Sequence, residues 1–240
     1  MAAQLEQPTD ISTDVALAVS TVIFALRIDP KTGLTTLWIP LVKRIREPHE
    51  GQWALPGGPL HCEESLADSA ARTLKRSTGL TPKYLEQLYA FGAVDRSPGG
   101  SRVVSVVYWA LVQSDEAERA VSDDNVEWHV ADDLPTLAFD HNTIVEYALW
   151  RLRTKMEYSR VAHAFLGDTF TLAQLREVYE AVLRKPVDPA NFRRQILSSR
   201  AIVDTGRRLT GTSHRPPRLY RYNSDFTMAD QGPLTPTRSH

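Results

Sequence analysis

At 240 residues, with 42% hydrophobic and 24% charged, the chain has the make-up of an ordinary globular protein, with room for one sizeable domain and a small one. A lone cysteine, Cys62, excludes an internal disulfide and fits a reducing cytoplasm, and the first fifteen residues show neither the basic start nor the apolar core of a signal peptide. The net charge of −1 conceals a partition: residues 1–150 hold 12 Lys and Arg against 21 Asp and Glu, whereas residues 151–223 hold 15 against 6.

An acidic front joined to a compact basic back predicts two domains with different partners. A basic module this small faces a polyanion, and nucleic acid is the commonest. Residues 1–13 are polar and read as disordered. The longest apolar stretch, Val15–Leu26, is interrupted by Ser20 and Thr21 and is too short for a membrane span, so it reads as a buried strand. Further strands are expected at Leu34–Val42, Leu88–Phe91 and Val103–Val112, set apart by turn signals at Asp29–Gly33 and Ser97–Gly100. Between them, Glu64–Thr78 carries Leu66, Ala70 and Leu74 four apart, which is a helical stripe. Strands mixed with helices predict a sheet covered by helices. Asp140 is an N-cap candidate for a helix over His141–Met156, with Ile144, Ala148 and Leu152 on one face.

From Tyr158 the pattern changes. Val161, Ala162 and Phe165 predict a short helix ended by Gly167-Asp168. Thr171 with Gln174 forms a capping box, and Phe170 with Leu175 a hydrophobic staple, for a helix to about Arg184. Asp188-Pro189 then caps a third helix, Ala190–Ser199, with Phe192, Ile196 and Leu197 inward and Asn191, Arg193, Arg194 and Gln195 outward. Ala201–Thr205 and Arg218–Tyr222 read as a strand pair around a basic loop. Three helices followed by two strands is the order of a winged helix-turn-helix, and residues 224–240 read as a flexible tail.

Two motifs carry chemistry. Gly57-Gly58, Glu64, Arg72 and Gly79-Leu80, preceded by Trp53-Ala54-Leu55-Pro56, stand at the spacing of the Nudix signature. The acids that hold magnesium in that signature fall here at Thr73, Arg76 and Ser77. Positions three and four apart share a helix face, where several carboxylates would converge on a hard cation. This face offers two hydroxyls and a positive charge, which repels a divalent ion, and Glu63 and Glu64 precede the helix. Metal-assisted hydrolysis is therefore expected to be lost, with no catalytic or metal residue and no required cofactor. The pocket itself is expected to persist, with Arg44, Arg46, Gly57, Gly58 and Arg96 as ligand-binding candidates. For each arginine a surface ion pair is the competing explanation.

The second motif is the basic back. A recognition helix lies in the major groove, where Asn bonds adenine and Arg bonds guanine; this makes Asn191, Arg193 and Arg194 candidate readers. Arg207, Arg208, Thr210, His214 and Arg215 lie on the expected wing, reaching DNA backbone or minor groove. A protein-contact adaptor is the alternative for this module.

Taken together, the chain resembles the Nudix-related transcriptional regulators of NAD metabolism, the NrtR family. The likeness lies in the Nudix frame, in Tyr84–Gly92, Asp95-Arg96, Ala138–His141, Asn191–Arg194 and Pro217–Arg221. The resemblance implies a cytoplasmic homodimer that binds an operator in double-stranded DNA and represses genes of NAD synthesis or salvage. ADP-ribose or a related nucleotide is implied as effector. The fold expected is α+β: a Nudix α/β/α sandwich over residues 14–155, then a winged helix-turn-helix over 156–223. An active ADP-ribose pyrophosphatase with a rewired metal site is the alternative, using Glu63, Glu64 and acids from Asp123–Glu127.

Overall fold

The computed structural model describes residues 15–81, 84–96, 102–118, 125–158, 160–210 and 216–223. Its centre is β1 (Ala16–Ile28), which runs parallel to β6 (Val103–Val112) along ten paired positions. A strand enclosed by pairing and covered on both faces is largely apolar, and Val19–Leu26 is buried without a break, Ser20 and Thr21 included. The opposite edge of β1 is shared: its first half pairs with β4 (Gly57–Pro59) and its second half with β2 (Thr35–Lys43). Beyond β2 lie β3 (Trp53–Ala54) and β7 (Val126–Val130), and β5 (Tyr84–Phe91) flanks β6. Asp29 accepts from Lys31 N and Thr32 Oγ1, which closes the β1–β2 turn.

Helices cover both faces, as expected of the sandwich. On one side α1 (Leu66–Thr78) buries Ala70 and Leu74 against Val19, Ile23 and Ala110. Ser65 caps it by accepting from Asp68 N at 3.1 Å, and Gly79, at φ 73°, ends it with an N–H bond to Lys75 O. Only glycine takes that left-handed turn without strain. A short helix α2 (Ser114–Glu118) follows β6 on this side. On the other side α3 (His141–Tyr158) sets Ile144, Ala148 and Leu152, all fully buried, into the larger core. Lys155 on α3 reaches back to Glu86 on β5 at 2.7 and 2.8 Å and lies over the Trp109 ring.

The C-terminal part comprises a 3₁₀ turn (Arg160–Phe165), α4 (Leu172–Leu183), α5 (Pro189–Ser198) and the antiparallel pair β8 (Ile202–Arg208) and β9 (Arg218–Tyr222). The capping box forms as expected, with Gln174 N donating to Thr171 Oγ1 and Thr171 N to Gln174 Oε1. Asp188 accepts from Asn191 N at 2.7 Å, with Pro189 in the first turn of α5. Leu197, expected inward, is 41% exposed; Phe192 and Ile196 carry the inner face of α5. The arginines Arg207 and Arg208 belong to β8 rather than to a loop, because the strand continues past a bulge in which Gly206 takes φ 72°.

One apolar cluster runs through both parts. It joins Phe24, Ile39 and Trp109 of the sheet to Ile144 and Leu152 of α3, and on to Phe170, Val178, Phe192 and Tyr220. Polar ties reinforce it: Asp132, after β7, accepts two bonds from Arg153 and lies 3.6 Å from Arg184, while Thr35 on β2 donates to Glu177 on α4. Among the described residues, no helix is long and apolar enough to cross a membrane.

Candidate functional site

The end of β2, the loop after it, β4 and α1 enclose a cleft of ≈ 600 Å³. Its lining includes Arg44, Arg46, Gly57 and Gly58, together with Thr73, Arg76 and Ser77 of α1. Gly57 is forced by packing: a Cβ there would stand 2.8 Å from Ser20 Oγ and 3.0 Å from Val19 O on the neighbouring strand. Gly58 opens onto free space, so a side chain there would fill the cleft.

Four cations line this cleft, namely Lys43, Arg44, Arg46 and Arg76, and among the described lining residues none is acidic. The β2–β3 loop is closed by Arg44 N to Gln52 O and Gly51 N to Arg44 O, both 2.9 Å. Arg44 donates to Pro48 O and lies 4.7 Å over the Phe139 ring, and burial pushes its pKa below the ordinary guanidinium value. Arg46 and Arg76 have no side-chain partner among the described residues. Thr73, 2% exposed, has a hydroxyl with no hydrogen-bond partner there. Ser77 Oγ is turned onto its own helix, donating to Thr73 O at 2.8 Å.

None of the described acids near this frame lines the cleft. Glu64 accepts from Arg72 at 2.7 and 2.8 Å and from His61 N, and the Arg72 bond lowers its pKa to about 2. Glu63 is exposed, and Glu127 is exposed with its carboxylate 3.8 Å from His129. Asp123 and Asp124 lie outside the described residues. No group of three or more His, Cys, Asp or Glu side chains suited to a metal occurs among the described residues.

Arg96 is not part of the cleft, contrary to expectation. Its side chain is 5% exposed and donates to both Asp140 oxygens, to Ser105 Oγ and to Phe91 O. The guanidinium therefore ties β5 and β6 to the start of α3. The same pairing occupies the Asp140 carboxylate that was expected to cap α3. Next to it, His141 is buried, and its Nδ1 accepts from Leu55 N at 3.0 Å. Burial lowers its pKa to about 4, so the ring is neutral at physiological pH.

The second site is an exposed basic face. Asn191, Arg193 and Arg194 are exposed on the outer side of α5 while Phe192 anchors the helix, and Arg194 donates to Asn191 Oδ1 at 2.6 Å. Arg207, Arg208 and Thr210 are exposed at the far end of β8, with Arg208 held by Pro216 O. Arg218 stands opposite Arg208 on β9 and pairs with Asp204 at 2.6 Å. His214 and Arg215 lie outside the described residues.

A Nudix sandwich bearing a winged helix on one shared core defines the class of this chain. Residues 19–148 match the NUDIX domain model, and residues 162–222 match the model of the NrtR DNA-binding winged helix domain. An ADPR responsive transcriptional repressor from Acinetobacter baylyi is 32% identical over 192 residues, covering 78% of this chain and 76% of its own length. The crystal structure of Shewanella oneidensis NrtR complexed with a 27mer DNA superposes with a TM-score of 0.74 at 34% identity, over 87% of this chain and 94% of that one. An ADP-ribose pyrophosphatase from Methanocaldococcus jannaschii is 36% identical over 114 residues, 47% of this chain and 67% of its own length. The chain belongs to the NrtR family of Nudix-domain proteins.

Proposed function

We propose that this chain is a transcriptional repressor of NAD synthesis or salvage genes whose Nudix domain senses ADP-ribose, or a related NAD-derived nucleotide, without hydrolysing it. The carrying observation is the joining of two cationic surfaces through one apolar core: a cleft sized for a nucleotide, and the outer face of α5 with the end of β8. The Acinetobacter relative is named for its response to ADPR, and the Shewanella relative was crystallised on DNA; both support the assignment.

Each part has a role set by its chemistry. α5 enters the major groove, where Asn191, Arg193 and Arg194 meet bases or phosphates, and Arg207, Arg208 and Thr210 follow the backbone from the wing. The division between the two parts falls at residues 155 and 156, near the end of α3. A homodimer presents two such helices to half-sites one DNA turn apart. Magnesium does not fit the Nudix helix of this chain: a hard divalent ion needs converging carboxylates, and Thr73, Arg76 and Ser77 supply hydroxyls and a cation while Glu64 is held by Arg72. ADP-ribose therefore acts as an effector rather than a substrate. Its binding favours a domain arrangement that no longer matches the half-sites, so DNA must weaken ADP-ribose binding by the same factor.

Selecting duplexes from a random-sequence library and titrating ADP-ribose into the resulting complex tests this. Release of DNA is expected. Unchanged DNA affinity at saturating ADP-ribose overturns the sensing role, and failure to retain any duplex at low salt replaces the repressor with a protein-contact adaptor. The Methanocaldococcus relative favours a second reading, an ADP-ribose pyrophosphatase. AMP release from ADP-ribose with magnesium or manganese would establish it.

A further inference from the structure

We propose that Arg76 binds the diphosphate of the effector directly, in the place where a Nudix enzyme employs a divalent ion, and that effector recognition is consequently independent of metal. This inference rests on the nucleotide-sensing role given above and specifies how the cleft holds its ligand.

Three observations converge on it. The first is charge. Lys43, Arg44, Arg46 and Arg76 line one cleft, and no acid lines it among the described residues. A carboxylate-lined site repels a bare diphosphate and requires a metal bridge; this cleft attracts the bare anion and gains nothing from an ion that would neutralise it. The second is availability. Arg44 is half committed to Pro48 O and Arg46 O, and Lys43 lies over Trp53. Arg76 and Arg46 have no side-chain partner among the described residues, and they line the cleft from α1 and from the β2–β3 loop. The third is Thr73, which lines the same cleft and whose buried hydroxyl has no partner among the described residues. An unsatisfied buried hydroxyl is costly, and a χ1 rotation that turned it toward the cleft would let a ligand oxygen satisfy it.

The position of Arg76 in the last turn of α1 has a simpler explanation, since cations are favoured beside a helix C-terminus. Lys75 already serves that purpose from the neighbouring position and does not line the cleft. The helix dipole therefore accounts for a cation in this turn, while the diphosphate accounts for one aimed into the cleft. Guanidinium presents a planar pair of donors that matches two phosphate oxygens, which an ammonium does not.

The experiment is calorimetric titration of full-length protein with ADP-ribose, in EDTA and again in magnesium, alongside inorganic pyrophosphate as a probe that lacks the nucleoside. ADP-ribose is expected to bind equally well in EDTA. Arg76→Gln should weaken it about tenfold to hundredfold, the loss of one charge-assisted bond, with Arg76→Lys only partly restoring it. Because Arg76 is exposed, an unchanged thermal unfolding profile shows that each variant folds. A requirement for magnesium, or undiminished affinity in Arg76→Gln, overturns the inference while leaving the sensing role intact. Metal-free, Arg76-dependent binding of pyrophosphate without any binding of ADP-ribose upholds the anion site and overturns the choice of effector. Binding of neither probe overturns both.

Discussion

The pairing of Arg96 with Asp140 makes a quantitative prediction about what holds the sandwich to α3. The guanidinium side chain is 5% exposed and the carboxylate 24%, with bonds of 2.7 and 3.0 Å between them. Breaking a buried pair by removing one partner costs about 3–5 kcal/mol, because the remaining charge is stranded. The two halves are unequal here. Asp140→Ala strands an arginine that water scarcely reaches, so about 3 kcal/mol or more is expected; Arg96→Met leaves a carboxylate that water can hydrate, so its cost is smaller. For a chain of this size, 3 kcal/mol corresponds to roughly 6–12 °C in Tm. The double variant Arg96→Met/Asp140→Ala should cost less than the singles combined, since it strands neither charge. Urea unfolding of the four proteins provides the cycle, and ADP-ribose titration of the folded Arg96→Met protein should give an unchanged Kd. Additive single costs, or a lost ligand with stability intact, would refute the structural role and return Arg96 to the binding site.

Reversing charge at the DNA face, Arg193→Glu/Arg194→Glu, should abolish duplex retention while ADP-ribose affinity holds; Arg207→Gln alone should lower the slope of log K against log salt by about one contact's worth, roughly 0.9, in a filter-binding series. His141 titrates near 6.5 when unfolded and at about 4 when folded, so the unfolded chain binds the extra proton between those values. Stability is therefore complete above about pH 6.5 and declines as pH falls toward 4. The contribution at about pH 5 amounts to about 2 kcal/mol, and comparing denaturation of wild type with His141→Asn isolates it, the variant showing the shallower decline. Asp132→Asn should loosen the contact with α3 and α4 and alter how strongly ADP-ribose shifts DNA affinity, with each ligand's own affinity nearly preserved. An unaltered coupling factor would remove Asp132 from the connection.

Local rules were readable where the physics is local. The capping box at Thr171 and Gln174, the Asp188-Pro189 start of α5 and the parallel-type apolar run of β1 each depend on neighbours within a few residues. Short strands were not legible: Val126–Val130 exists because Ile39, Leu41 and Val42 offer an edge more than eighty residues earlier. Tyr84–Gln87, half polar, falls outside the strand expected at Leu88–Phe91 and joins β5 through its pairing with Tyr108–Leu111 of β6. The same distance problem governed the arginines. Arg44, Arg46 and Arg96 are indistinguishable as letters, and only the approach of Asp140, forty-four positions on, separates the structural one. Gly206 and its arginines resembled a loop because a bulge in a strand uses the same residues as a turn.

Coupling between the two surfaces follows from how the core is shared. If each part had its own closed core, a ligand in the cleft would alter only the sheet. Instead, Phe170, Val178 and Phe192 pack in the same cluster as Phe24 and Trp109, and α4 rests on β2, the strand whose end carries Lys43 into the cleft. A close-packed interior does not deform by degrees, so displacing the end of β2 leaves α4 either in its present seat or in a different one. Two discrete seats are what a repressor needs, because α5 is carried by α4 and must either match or miss its groove. To drive the population from nearly all bound to nearly all released, the effector must prefer the second seat by about 5.5 kcal/mol. Neutralising Arg46 or Arg76, which line the cleft, should therefore weaken the release of DNA at a fixed ADP-ribose concentration, and an unchanged release would remove these charges from the response.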